Sequence, residues 1–490
     1  MMKRNKLMLL TLSMMLLIPL LAACGGEAKQ NEQERTLRIG VLYGGGDEQH
    51  IRQQYTDIFE YMNGNISIEI VPAVDTSEYR YSGSSGNRPD PTENMRKLLT
   101  GANPIDVAIV DSDSFQQFVR DGQFKQLDPL IQKDGFDTSD IIAPVMDTIK
   151  MMGDGNIYGL TPTFSARALY YNKTLFKEAG VALPTDNMTW DELFELARRV
   201  ASGEGKDRIF GFSFNKFRGD NPFYGVADYA APLQLRKYDD KAEKMTINTP
   251  QWEKVYDTIA KLSQDNIMPG RKDKDSDEGY SGGRYNPLEH DLFLSGKVAM
   301  MLGYYSYTSD LFDVSKNAGK IKNFEMPEWD VVTIPHHPEA PGISSGMSLD
   351  SIMAINAQAQ NPDDAWQFVQ FINGEDWAKI KSRSTYELVT RKSFIKPKEG
   401  MNYNIQSFYA MKPAPGNPAE DKLQLKYRNL WTIDNSGYDL FQKRIDGKLT
   451  TAEMLKQWET KGNNLLQLFK KNPNGSPYDD EAIMKEVYGD

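Results

Sequence analysis

The sequence predicts an α/β protein built as two doubly wound lobes, and three observations predict it. Short apolar strands alternate with amphipathic helices along most of the chain, the rhythm of βαβ units. Residues 106–110, DVAIV, are almost wholly apolar, as a strand covered on both faces of a parallel sheet must be. The length of 490 residues exceeds what one hydrophobic core organises and suits two lobes.

In chain order, LRIGVL (37–42) is the first strand and runs into the glycine loop YGGGDEQ. A helix follows with Ile51, Tyr55, Ile58, Phe59 and Met62 on one face, at spacings of 3 and 4. ISIEIV (66–71) alternates and reads as the second strand, with DVAIV the third. Later strands are expected at 168–172, 209–214, 297–302, 330–334 and 351–355. Thr189 and Glu192 form a capping-box pattern ahead of Leu193, Leu196, Ala197 and Val200. Thr249-Pro250 opens a helix carrying Trp252, and Asn361-Pro362 opens one carrying Trp366 and stopping at Gly374. Trp190, Trp252 and Trp366 lie on the inner faces of these helices and are assigned to the core. Residues 72–91 and 270–287 are rich in Gly, Ser, Pro and charge and read as surface loops.

The start of the chain has a different character. Lys3, Arg4 and Lys6 precede an apolar run of about fifteen residues, short of the roughly 20 that span a bilayer. Ala22 and Ala23 then precede Cys24, the only cysteine, which excludes a disulfide within the chain. Charged, apolar and small regions in this order mark a secretory signal peptide over 1–23. Leu21-Ala22-Ala23-Cys24 resembles the bacterial lipobox, which implies cleavage after Ala23 and a diacylglycerol on the Cys24 sulfur. Residues 24–36 are then the lipid anchor and a polar, flexible tether. The location implied is extracytoplasmic, on the outer face of the bacterial cell membrane.

Removing residues 1–23 takes away three basic residues and no acid, so 57 Lys and Arg become 54 against 68 Asp and Glu, a balance of −14. An acidic surface argues against a nucleic-acid partner and offers no attraction to an anionic membrane, leaving the lipid to anchor the protein. Aromatic residues are abundant, with 24 Tyr, 22 Phe and 7 Trp.

Several segments together resemble the family 1 extracellular solute-binding proteins of ABC importers, the maltodextrin-binding-like group. Residues 105–131, IDVAIVDSDSFQQFVRDGQFKQLDPLI, look like the family's strand, Asp-bearing loop, helix and exit. Residues 157–201 match its crossing segment, its YN-K-x-L-F-x-x-A-G helix and its P-x-T-W-(D/E)-E-L helix start. FLSGKVAMMLGYYSY (293–307) resembles F-x-x-G-x-x-A-M-x-x-x-G-x-W, with Tyr305 in place of the usual Trp, and NPDDAWQFVQFIN (361–373) matches the helix after the last crossing. The matches run from about residue 37 to 373. The resemblance implies a type II periplasmic-binding-protein-like architecture, two lobes around a ligand cleft joined by crossing strands. Lobe one maps to 37–162 plus 346–400 and lobe two to 163–345 plus 401–490. Closure is then a hinge motion driven by bound ligand.

Ligands of open α/β sheets bind beyond the carboxyl ends of the strands, and five segments are expected there. The first carries Tyr43, Gly44–Gly46 and Asp47, either contacting ligand or forming a tight turn with Asp47 in the first helical turn. In the second, Asp111 and Asp113 can accept sugar hydroxyls, while one of them N-caps the helix near Ser114. The third is the crossing with Phe164 and Arg167. The fourth is NKFRGDNPFYG, offering Phe217, Arg218, Asp220, Asn221, Phe223 and Tyr224. The fifth is GYYSY, with Tyr304, Tyr305 and Tyr307. Aromatic faces with polar groups at the rim suit a carbohydrate, although core packing competes for each aromatic.

Enzyme motifs fail on context. Two stretches match G-x-S-x-G, around Ser281 and Ser344, but all four histidines precede Ser344, and Ser281 follows the charged run KDKDSDE. His336-His337 lacks the H-E-x-x-H pattern of catalytic zinc. DKDSDEG (273–279) resembles a calcium loop but places Arg284 where a Glu is required. No cofactor and no metal are expected. The family resemblance, with the lipobox, implies a monomeric, lipid-anchored binding protein that passes a carbohydrate, in particular an oligosaccharide, to ABC permease subunits. A surface polysaccharide hydrolase and a binding protein feeding a membrane sensor are the alternatives.

Overall fold

Two mixed sheets, of five and six strands, organise the protein. The structure, a computed structural model, describes residues 34–45, 48–77, 89–217, 221–270, 287–322, 324–383, 386–427, 429–473 and 480–488. Residues 1–33 with Cys24, Asp47, Arg218, Asp220, the 273–279 loop and Ser281 lie outside the described residues. The strands are β1 (Arg35–Gly44), β2 (Ile66–Asp75), β3 (Val107–Val110), β4 (Gly159–Leu160), β5 (Thr163–Asn172), β6 (Phe210–Ser213) and β7 (Val298–Tyr304), then β8 (Trp329–Val332), β9 (Ile343–Ser344), β10 (Met347–Ser348), β11 (Ile352–Ile355), β12 (Leu388–Val389) and β13 (Lys412–Pro413).

The first sheet runs β2-β1-β3-β11-β4. β1 is parallel to both β2 and β3, the doubly wound pattern expected. Apolar DVAIV does not imply a wholly parallel sheet, however. β3 pairs antiparallel with β11, because the chain re-enters this sheet from the second one. The second sheet runs β10-β5-β7-β6, with β8 and β12 also pairing to β5.

β5 is the crossing strand. Its first residues, Thr163 and Phe164, pair with β12, while Arg167 to Tyr171 pair with β7 and Leu169 to Asn172 with β8. Side chains alternate along a strand, so β5 serves two cores. Phe164, Ala166, Ala168 and Tyr170 enter the first, with Phe59, Phe115, Phe118 and Phe368. Leu169 and Tyr171 enter the second, with Trp190, Phe212, Tyr256 and Trp458. A one-residue slip would send each of these sets into the opposite core.

Helix starts follow the local chemistry. The backbone N–H of Thr189 donates to Glu192 Oε2 at 2.7 Å and that of Glu192 to Thr189 Oγ1 at 3.3 Å, a closed capping box. Thr189 and Thr249 both cap as expected, and Trp190, Trp252 and Trp366 are all buried. Met62 departs from expectation: the Asp57–Met62 helix buries Phe59, but Met62 at its end is exposed. Among the described residues no helix is long and apolar enough to cross a membrane.

Candidate ligand-binding cleft

In the first sheet, Tyr43 is the penultimate residue of β1 and is exposed. The turn behind it needs glycine. Gly45 has φ +126°, and a Cβ there would lie 1.8 Å from Asp75 Oδ1. Thr76 donates to the Gly44 carbonyl through its N–H at 2.7 Å and its hydroxyl at 3.0 Å, locking this turn onto the end of β2.

Asp111 and Asp113 divide the two roles open to them. Asp111 Oδ1 accepts from Ser114 N at 2.8 Å and caps the Ser112–Arg120 helix. Asp113, one turn position on, is open to solvent, and among the described residues it has no ion-pair partner. Crowding by protein still strips part of its hydration. That desolvation pushes its carboxyl above the usual range, and negative Asp111 and Asp350 push it further.

In the second sheet, Arg167 and Tyr304 are paired across β5 and β7. The guanidinium lies 5.2 Å from the Tyr304 ring centroid, and the ring is 54% exposed. Arg167 Nη1 donates to Asp228 Oδ1 at 2.7 Å and Nη2 to the Phe214 carbonyl at 3.3 Å. Its Nε is buried without a hydrogen-bond partner among the described residues. Phe217, also exposed, follows β6 and bridges to Asp291. The neighbouring Lys216 ammonium reaches Asp310 at 2.6 Å and sits 4.8 Å from the Tyr307 ring, which holds the Phe217 loop down.

Five expected site residues are buried in this structure. Phe164 is 1% exposed, because its position on β5 points it into the first core. Tyr305 is 4% exposed, turned the opposite way from Tyr304 and packed on Phe408. The Tyr307 hydroxyl donates to both oxygens of buried Asp291 at 2.9 Å. Asn221 is buried as the cap of the Pro222–Ala230 helix, accepting from Phe223 N at 2.9 Å. Phe223 packs against Tyr256, Phe441 and Trp458. Asp47 and Arg218 lie outside the described residues.

Two residues were not singled out by the motifs. Asp228, on the Pro222–Ala230 helix, is the partner of Arg167, sixty-one residues away in sequence. Trp431, at the N-cap of the Thr432–Ile445 helix, is exposed. It shares a helix face with Tyr438 seven residues on, and Tyr438 stacks near exposed Tyr224 at 5.8 Å.

Among the described residues, nothing at the enzyme motifs builds a reaction centre. Ser344 ends β9 and is followed by β10, where a nucleophile elbow needs a helix. His337 is buried with Nε2 on the Tyr229 carbonyl at 2.6 Å. Among the described residues no cluster of His, Cys, Asp and Glu is arranged to hold a metal.

Comparison with known proteins decides the family. The family described as bacterial extracellular solute-binding protein matches residues 59–379. The chain belongs to this family. The solute-binding protein is 23% identical over 371 residues to the arabinooligosaccharide-binding protein of Bacillus subtilis, covering 74% of this chain and 75% of that one. It is also 23% identical over 373 residues to an sn-glycerol-3-phosphate-binding periplasmic protein of Rhizobium meliloti, covering 74% and 80%. Its fold matches the sugar-binding protein MalE of Xanthomonas citri with a TM-score of 0.59 at 16% identity, over 89% of this chain and 98% of that one. The two α/β lobes expected from the sequence are the fold of this family.

Proposed function

We propose that this solute-binding protein captures a neutral oligosaccharide between its lobes and passes it to the permease subunits of an ABC importer. The observation that carries this reading is the state of Arg167. Its charge is matched by Asp228, and Tyr304 lies against it with an open face. A cation so engaged presents an aromatic platform to a ligand and no unmatched positive charge, which suits a sugar ring over an anion. Asp113 and the exposed rings of Tyr43, Phe217 and Trp431 add hydroxyl acceptors and C–H surfaces. Relatives that bind an arabinooligosaccharide support a sugar, and the glycerol-phosphate relatives mark the competing, anionic class.

In this reading lobe one is 37–162 plus 346–400, lobe two is 163–345 plus 401–490, and β5 is one of the hinge strands. Cys24 carries the lipid that holds the monomer outside the membrane. A thermal-shift screen of neutral oligosaccharides, acidic oligosaccharides and glycerol phosphate tests the ligand class. A ligand at 100 times its Kd adds about 2.7 kcal/mol of stability. A shift with a neutral oligosaccharide is expected, and shifts confined to the anions overturn the reading. Loss of uptake of that sugar on deletion separates an importer from a sensor, and labelling of Cys24 with radioactive palmitate, abolished in Cys24→Ser, tests the anchor.

A further inference from the structure

Beside the end of the Glu375–Lys381 helix is a cavity of about 930 Å³. Its walls come from three parts of the chain: Lys379 and Arg383 at the helix end, Lys396 and Lys398 in the connection that follows, and Tyr305 and Phe312 after β7. The cavity is distinct from the Arg167 site. Tyr305 N donates to the Ala166 carbonyl at 2.8 Å, extending the β5–β7 ladder one residue past the Arg167–Tyr304 pair. Successive residues of a ladder face opposite ways, so Tyr305 and the cavity lie on the other side of the sheet from Tyr304.

Its charge runs against that of the molecule. The chain carries 57 basic and 68 acidic side chains, but this cavity has four cations and one carboxylate, Glu399. Among the described residues, none of Lys379, Arg383, Lys396 and Lys398 forms an ion pair. The Lys398 ammonium sits 5.7 Å from the Tyr305 ring centroid. Burial lowers its proton affinity, and Asp313 on the facing helix opposes this. Four like charges gathered in one concavity repel one another unless an anion joins them. An arginine fork and three lysine point charges lining one concavity suit the oxygens of a phosphate group better than a single carboxylate.

We infer that this cavity is a binding site for a phosphate-bearing anion, separate from the ligand cleft. The anion is either a free phosphate or the glycerophosphate headgroup of an anionic lipid, which share the chemistry these cations recognise. The inference goes beyond the proposed sugar function and stands or falls independently of it.

Titration calorimetry on the full chain at low ionic strength, with inorganic pyrophosphate and with glycerophosphoglycerol, the deacylated lipid headgroup, tests it. At least one probe is expected to bind with a Kd below about 1 mM. The Lys379→Gln/Lys398→Gln pair and, separately, Arg383→Gln should each weaken that binding about tenfold or more, with melting temperatures unchanged. Tighter binding of pyrophosphate assigns the site to free phosphate, and tighter binding of the diester assigns it to lipid. Absence of binding by both probes, or binding that survives both variants, overturns the inference.

Discussion

Arg167 and Tyr304 face each other across β5 and β7, with the guanidinium 5.2 Å from the ring centroid. The cation occupies one face of the ring, and more than half of the residue stays open to solvent. In the proposed function, the open face of this ring stacks on the sugar. Tyr304→Ala is expected to weaken oligosaccharide binding about tenfold, equivalent to about 1.4 kcal/mol, while Tyr304→Trp retains it. Because the side chain is exposed, stability should change by no more than about 0.5 kcal/mol. Calorimetry with the sugar found by thermal shift checks both, and an unchanged affinity in Tyr304→Ala removes Tyr304 from the site.

Asp228 should matter more for stability than its half-exposed position suggests. Asp228→Asn leaves the largely buried Arg167 guanidinium without its counter-charge. Breaking a buried pair by removing one partner costs about 3–5 kcal/mol, and partial exposure here brings the expected loss to about 2 kcal/mol. Adding Arg167→Met should recover part of the loss, since no unmatched charge then remains. Urea unfolding of the two single variants and the double variant tests this coupling, and strict additivity would show that the ion pair contributes nothing.

The relation between these two residues also shows what could be read in the sequence. Alternation and capping are local, so the strands, the Thr189 box and the three buried tryptophans were legible from spacing alone. The short strands β4, β9, β10, β12 and β13 were not, because two-residue ladders carry no periodicity. Site aromatics were harder still. Tyr304 and Tyr305 are neighbours in one motif, yet one is exposed and the other buried, and only the register of β7 against β5 decides which. Phe223 and Asn221 stood in a loop-like stretch that turns out to begin a helix, where the asparagine caps and the phenylalanine packs inward. Asp228 gave no local signal, since its role arises from a contact made across the fold, and Trp431 stands in none of the motifs.

Asp113 yields a prediction with a definite sign. Its carboxyl is raised in the folded protein by desolvation, and by Asp111 and Asp350. Folding therefore disfavours the ionised form, and stability rises as pH falls from above the folded pKa toward the unfolded one. Asp113→Asn should be more stable than the parent at pH 7. The difference should vanish at a pH below the unfolded value, where the carboxyl is protonated in both states. Melting temperatures across this range test it, and an advantage independent of pH would assign the effect to something other than charge. If Asp113 accepts ligand hydroxyls, the same variant binds sugar more weakly, so the strain at this carboxylate serves binding.

Asp257 behaves in the opposite way. Desolvation raises its carboxyl, but hydrogen bonds from Lys261, Arg444 and Thr451 outweigh this and hold it down at about 2. The Arg444 Nη2 contact is 2.7 Å and the Thr451 hydroxyl contact 2.8 Å, so one carboxylate ties the Pro250–Gln264 helix to the two long C-terminal helices. A folded pKa below the unfolded value of 3.8 makes the contribution fully present above pH 3.8 and lost as pH falls through about 2. Discounted for solvent screening of this partly exposed carboxylate, the shift corresponds to about 1–2 kcal/mol at neutral pH. Asp257→Asn is expected to lose about that much at pH 7 and only about half as much at pH 3. Urea unfolding at the two pH values measures the difference. A loss of equal size at both would mean that Asp257 acts through hydrogen-bond geometry, with its charge contributing nothing.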